Sequence, residues 1–218
     1  MALPPTLVSR FLMLVPVADL VDCAKAHGMP LPAVADALLA RAAALEKPPP
    51  LWYRARLGKA AVAACEASGE SPSELCLDVI VQSLRAPPSD FCYVTCEGIA
   101  LRVLDPKQPG SITGGASIGL RLWPSALLLQ QYVKANWDAL GRGQGAVLEV
   151  GAGVGFVGLW CASAGARTVL TDYNDAVLDN LARNAAALPL ATVARFDWRA
   201  PDVGLVADAR LMLLADCV

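Results

Sequence analysis

The apolar positions change their period along the chain. Up to about residue 88 they recur at three- and four-residue spacing, one face of a helix, and predict helices over 17–26, 31–45, 51–67 and 74–84. Gly28 and Pro30 separate the first two, Pro48-Pro49-Pro50 breaks the chain before the third, and Gly69 closes it. Ser71-Pro72-Ser73-Glu74 carries the start signal of the fourth, a proline near its first position and an acid in its first turn. The run from Phe11 to Val17 reads as a buried segment entering the first helix and is too short to span a bilayer. Ala86-Pro87-Pro88-Ser89 marks a boundary. Beyond it, 91–95 and 99–103 read as strands about a Glu97-Gly98 hairpin turn. A glycine- and serine-rich loop over 111–119 leads to a helix from Trp123-Pro124 to about Leu140, and 141–145 forms a flexible joint. From Ala146 onward strands at 146–150, 168–171, 192–196 and 210–215 alternate with helices at 154–164 and 175–187. That alternation predicts an α/β fold with a parallel sheet under covering helices. The organisation is a helical region 1–88, a hairpin, loop and helix over 89–145, and a sheet region 146–218.

The chemistry concentrates where the first parallel strand ends. Val147-Leu148-Glu149-Val150 runs into Gly151-Ala152-Gly153-Val154-Gly155, a tight strand-to-helix turn. Gly151 permits backbone angles closed to other residues, Gly153 lets a ligand approach the backbone, and Gly155 lets the helix pack near the strand. A dinucleotide fold uses a similar turn, in the pattern G-x-G-x-x-G, to hold pyrophosphate. Here the third glycine comes one residue early and Phe156 stands in its place. Glu149 would repel a pyrophosphate but suits the ammonium of a methionine moiety. Asp172, ending the second parallel strand, can accept both hydroxyls of a ribose. The combination favours S-adenosylmethionine over a nicotinamide dinucleotide. The alternative is a plain tight turn with Asp172 capping the next helix.

Composition narrows the classes. The 218 residues are 56% hydrophobic and 17% charged, as expected of a globular chain with a substantial core. A net charge of −2, without basic runs, gives no pull toward nucleic acid or an anionic membrane. Seven dispersed cysteines lack zinc-site spacing, and His27 is the single histidine, so no metal site is expected. Reduced thiols fit a cytoplasmic protein. His27 reads as a surface or capping residue, and Tyr132 and Trp137 as helix packing.

Val147 to Gly155, Asp172, Asp197-Trp198 and Ala215-Asp216 resemble the motifs of the seven-β-strand protein-lysine methyltransferases. Gly119-Leu120-Arg121-Leu122-Trp123-Pro124-Ser125-Ala126 is similar to that family's G-x-x-x-W-x-[SA]-A segment. Tyr53-Arg54-Ala55-Arg56-Leu57, Glu66 and Glu74-Leu75 resemble the helical extension of the members that methylate elongation factor 2, as does Arg10-Phe11-Leu12. The resemblance implies a Rossmann-like sheet that binds S-adenosylmethionine and a protein substrate, elongation factor 2. It places cofactor contacts on Trp123, Glu149, Gly151, Ala152, Gly153, Asp172, Asp197, Trp198 and Ala215. An indole would wall the adenine, and Asp197 would accept from its exocyclic amine. Trp123 and Trp198 could instead be core anchors.

Methyl transfer to lysine needs a neutral amine held in line with the sulfonium methyl, and Asp216 is the catalytic candidate at the target-lysine channel. The family follows that acid with an aromatic in a D-x-x-[YF] pattern, and Asp216-Cys217-Val218 ends one residue short of it. About four of the fold's strands are present. The chain therefore reads as a truncated enzyme, with little or no turnover, an exposed edge strand and a tendency to aggregate. A small-molecule methyltransferase and a non-catalytic scaffold that kept part of the fold remain open as alternatives.

Overall fold

In the computed structural model, which describes residues 2–107, 115–143 and 145–217, every parallel strand expected from the sequence is present. The chain divides into two units, Met1–Ala100 and Leu101–Val218. No helix of the described residues is long and apolar enough to cross a membrane.

The first unit holds five helices: α1 (Pro5–Leu12), α2 (Val17–Ala26), α3 (Leu31–Ala43), α4 (Leu51–Ser68) and α5 (Glu74–Arg85). The first lies ahead of the helices that the apolar spacing predicts; its Leu7 and Phe11 turn one apolar face into the core. The proline punctuation is physical: α1 to α4 each start directly after a proline whose extended backbone ends the preceding segment. α5 starts instead on Ser73, whose Oγ accepts the Cys76 N–H at 3.2 Å, so Pro72 precedes the helix and Ser73 caps it. Tyr53 sits at the centre, its ring 5.6 Å from that of Phe11 and its hydroxyl donating to the Val15 carbonyl at 2.5 Å. His27 ends α2, exposed, with Nδ1 2.8 Å from the Cys23 carbonyl.

Strands β1 (Phe91–Cys96) and β2 (Ile99–Leu104) flank the Glu97-Gly98 turn and form a two-stranded sheet. Both turn residues have positive φ, 49° and 80°, as a two-residue hairpin demands.

The second unit carries the expected parallel sheet. Its strands are β3 (Ala146–Val150), β4 (Arg167–Asp172), β5 (Ala191–Arg195) and β6 (Ala209–Leu214), in the order β5-β4-β3-β6 and all parallel. β3 is buried along its whole length, which is why it reads as an unbroken apolar run apart from Glu149. Helices α6 (Gly115–Gly119), α7 (Pro124–Ala135), α8 (Phe156–Ser163), α9 (Asp175–Ala185) and α10 (Val203–Ala207) complete the unit. α6 replaces part of the expected 111–119 loop, whose residues 111–114 lie outside the described residues, as does Gln144 of the expected joint. α7 stops at Ala135 rather than near Leu140, where Asn136 caps it and donates its side-chain amide to the Tyr132 carbonyl at 2.8 Å. Trp137 packs edge-on against Trp160 of α8, 5.3 Å between centroids. Tyr132 does not pack as expected; it is 61% exposed.

The strand order places the site. From β3 the chain moves outward through β4 and β5, then returns to the other side of β3 as β6. The strand order reverses at β3, and open α/β sheets bind ligands at such a switch point, beyond the carboxyl ends of the strands.

Candidate active site

The glycine turn is built from β3 and β4 together. Gly151 and Gly153 have φ of 63° and 55°, the left-handed region that a side chain strains. They also have no room for a side chain. A Cβ on Gly151 would lie 2.8 Å from the Cys217 Sγ, and one on Gly153 would lie 2.9 Å from the Gly119 carbonyl oxygen. Between them the Ala152 N–H donates to the Thr171 carbonyl at 2.8 Å, and the Thr171 hydroxyl donates to the Glu149 carbonyl at 2.8 Å. The turn is thus pinned to the end of β4.

Asp172 holds the same corner. Its Oδ1 accepts the N–H groups of Tyr173 and Asn174 at 2.8 and 3.1 Å, and its Oδ2 accepts that of Gly153 at 3.3 Å. It does not cap α9. Asn174 does, accepting from Ala176 and Val177. Asp172 is therefore fixed by three backbone donors at the tip of β4, with a carboxylate edge lining the cavity.

Glu149 is only 3% exposed. Its Oε2 accepts the Gly158 N–H at 2.8 Å, an amide of the first turn of α8. α8 has no capping side chain of its own, since Gly155 stands at its N-cap, so the strand supplies the acceptor. Burial pushes the Glu149 carboxyl up to about 8, with the Gly158 N–H working against the shift. The glycine that lets α8 approach the sheet is Gly158 rather than Gly155. A Cβ there would meet Leu170 at 2.5 Å and Glu149 Oε2 at 2.6 Å, whereas Gly155 faces Leu181 of α9.

A cavity of about 400 Å³ opens beyond the ends of β3, β4 and β6. Trp123, Glu149, Gly151, Ala152, Gly153, Asp172, Trp198, Ala215 and Asp216 all line it. Trp123 and Trp198 are 42% and 52% exposed, so both stand at the cavity as partly open indole faces rather than as core anchors. Trp123 is oriented by its Nε1, which donates to the Ile118 carbonyl at 2.9 Å. Asp197 lies apart, on a small adjoining hollow shared with Phe196, Tyr173 and Trp198. Arg199 grips both Asp197 oxygens, with contacts of 2.6 and 2.9 Å, and holds its carboxyl down at about 2. Asp216 is exposed, with φ of 55°.

The lining also includes residues the sequence reading did not assign: Ile118, Arg121, Ser125, Tyr173 and Cys217. Arg121 and Ser125 lie inside the Gly119–Ala126 motif, but nothing in their spacing shows which way they face. Cys217 is placed by its Sγ, which donates to the Val150 carbonyl at 3.0 Å, and burial raises its thiol.

The lining suits a cationic nucleoside. Two buried acids, Glu149 and Asp172, offer hydrogen-bond acceptors, the open indole faces of Trp123 and Trp198 line the same cavity, and the volume falls in the range of small-ligand pockets. Residues 111–218, just under half of the chain, match the model of a family described as lysine methyltransferase, and the match supports reading the cavity-bearing part of the chain as a methyltransferase.

Proposed function

We propose that this cavity binds S-adenosylmethionine and that the protein methylates a lysine of a protein substrate, elongation factor 2. The observation that carries the reading is the convergence of nine expected residues on one cavity at the switch point of the sheet. The fit rests on Glu149 and Asp172 as acceptors beside a glycine turn whose missing Cβ atoms leave room for the Cys217 Sγ and the Gly119 carbonyl at the cavity wall. Glu149 would take the ammonium of the methionine end, Asp172 the ribose hydroxyls, and Trp123 and Trp198 the flat apolar surfaces. The substrate assignment is supported by the similarity of 53–57, Glu66 and Glu74-Leu75 to elongation factor 2 methyltransferases.

The bound cofactor supplies an electrophilic methyl on a sulfonium. The chain's own residues must hold a neutral lysine nitrogen in line with it and exclude water. With the cofactor held there, the lysine nitrogen would take the methyl, and the sulfur would keep the electron pair of the broken carbon–sulfur bond. Asp216, an exposed acid lining the cavity, would hydrogen-bond the incoming ammonium and accept its proton.

Titration calorimetry with S-adenosylmethionine and with NAD tests the cofactor reading. Heat with the first alone is expected, and heat with NAD alone or with neither would overturn it. Methyl transfer from labelled cofactor to elongation factor 2, using enzyme purified from its own cells, tests the substrate. Label on a lysine is expected. Label confined to small molecules, or absent, would overturn the protein-lysine assignment.

A further inference from the structure

The cavity contains a positive group that the reading above does not use. Arg121 is the single basic residue among the described residues that line it. Glu149, Asp172 and Asp216 line the same cavity, yet among the described residues the Arg121 guanidinium makes no ion pair or hydrogen bond. Its backbone is anchored, the N–H donating to the Ile118 carbonyl at 3.3 Å.

Four residues on, Ser125 stands in the first turn of α7 and also lines the cavity. Its Oγ is closed off from solvent and has no hydrogen-bond partner. The N-terminus of α7 carries no side-chain cap, because Trp123 at the N-cap offers no acceptor to the first turn. A guanidinium and the positive end of a twelve-residue helix therefore share one cavity with three acidic residues, while the unpaired Ser125 hydroxyl is closed to water, so a ligand reaches it once its side chain turns.

We infer that Arg121 and Ser125 hold the carboxylate of the ligand's amino-acid end, Arg121 as its ion-pair partner and Ser125 as a hydroxyl donor. The inference rests on the S-adenosylmethionine reading. The amino-acid end of that molecule carries an ammonium and a carboxylate on one carbon. Glu149 suits the ammonium. The carboxylate, unpaired, would be repelled by Asp172 and Asp216, and by Glu149 once the ammonium has drawn off its proton, in a partly enclosed site where charges are poorly screened. Arg121 removes that repulsion, and its planar fork matches a carboxylate. The unpaired Ser125 hydroxyl costs the ligand-free protein stability and gains a partner when the ligand arrives.

The test compares two ligands by calorimetry on the native chain, on Arg121→Met and on Ser125→Ala. S-adenosylhomocysteine carries the amino-acid end, and 5′-methylthioadenosine has the same nucleoside and thioether without it. Arg121→Met should weaken S-adenosylhomocysteine roughly 10- to 100-fold and change methylthioadenosine less than about twofold. Ser125→Ala should weaken S-adenosylhomocysteine several-fold while leaving the melting temperature of the ligand-free protein equal or higher, the opposite of what a structural hydroxyl would show. Equal weakening of both ligands, or no weakening of either, overturns the assignment while the cofactor reading stands. If the native chain binds neither ligand, the cofactor reading fails and takes this assignment with it.

Discussion

The Glu149 carboxylate accepts the Gly158 amide at 2.8 Å, so the acid nearest the glycine turn is also the acceptor that the uncapped start of α8 requires. A single buried group thus closes a helix end and faces the cavity.

That double role gives a pH signature. In the folded, ligand-free chain the Glu149 carboxyl is raised from 4.5 to about 8, so between these values the folded chain keeps a proton that the unfolded chain has lost. Its contribution to stability is complete below 4.5 and is lost as the pH rises through about 8. Urea midpoints should fall across that window in the native chain and fall less in Glu149→Gln. Affinity for a cationic ligand should move the other way, rising with pH and levelling off above about 8 with release of a proton. Glu149→Gln should flatten that profile and weaken binding about tenfold or more. A binding profile in the native chain that is flat with pH would refute the ionisation argument.

Gly158 is the tightest helix-to-sheet approach in the site. Gly158→Ala would push a Cβ into Leu170, Glu149 Oε2 and Thr168. Overpacking of this kind costs roughly 1–3 kcal/mol, readable by denaturant unfolding.

Asp172→Asn replaces one carboxylate oxygen with a donor that cannot accept from Gly153 or from Tyr173 and Asn174. Hydrogen bonds to a charged acceptor contribute about 1.5–3 kcal/mol. Nucleoside affinity should therefore fall about 10- to 100-fold in calorimetry, with methylthioadenosine affected as strongly as S-adenosylhomocysteine. A loss confined to S-adenosylhomocysteine would place Asp172 at the amino-acid end instead.

Asn184 ties the glycine turn to β2. Its Oδ1 accepts the Arg102 N–H at 2.8 Å, and its Nδ2 donates to the Arg102 and Val154 carbonyls at 3.2 and 3.0 Å. Asn184→Ala removes the bonds to the Arg102 N–H and the Val154 carbonyl in a buried site, while the Arg102 carbonyl keeps its bond from Asn180, and should cost about 3 kcal/mol, with a measurable drop in the melting temperature. Asn180→Ala should cost less, because it removes a bond to the Arg102 side chain and one of two to the Arg102 carbonyl, whereas Asn184 serves the Arg102 N–H and the Val154 carbonyl of the backbone.

The motif residues were legible because their chemistry depends on neighbours in the chain. The glycine pattern, the apolar run of β3 and the acid ending β4 are local, and the structure brings nearly all of them to one cavity. Asp197 shows the limit: its position in sequence suggested an adenine contact, but Arg199, two residues away, engages both its oxygens. Gly155 shows another. Its place in the motif suits it to admit the helix to the strand, a job that falls to Gly158 because α8 starts only at Phe156 and its third residue faces Leu170 and Thr168.

Period and punctuation alone dictated the five- and six-residue strands, most of the helices and their order along the chain, since a strand's alternation or a helix's face needs only nearby residues. The placement of α1, the capping of α8 by Glu149 and the facing of Arg121 and Ser125 into a cavity with three carboxylates depend on residues brought together from distant parts of the sequence. Those relationships follow from strand order and helix packing, which bring side chains into contact across gaps that no sequence period spans.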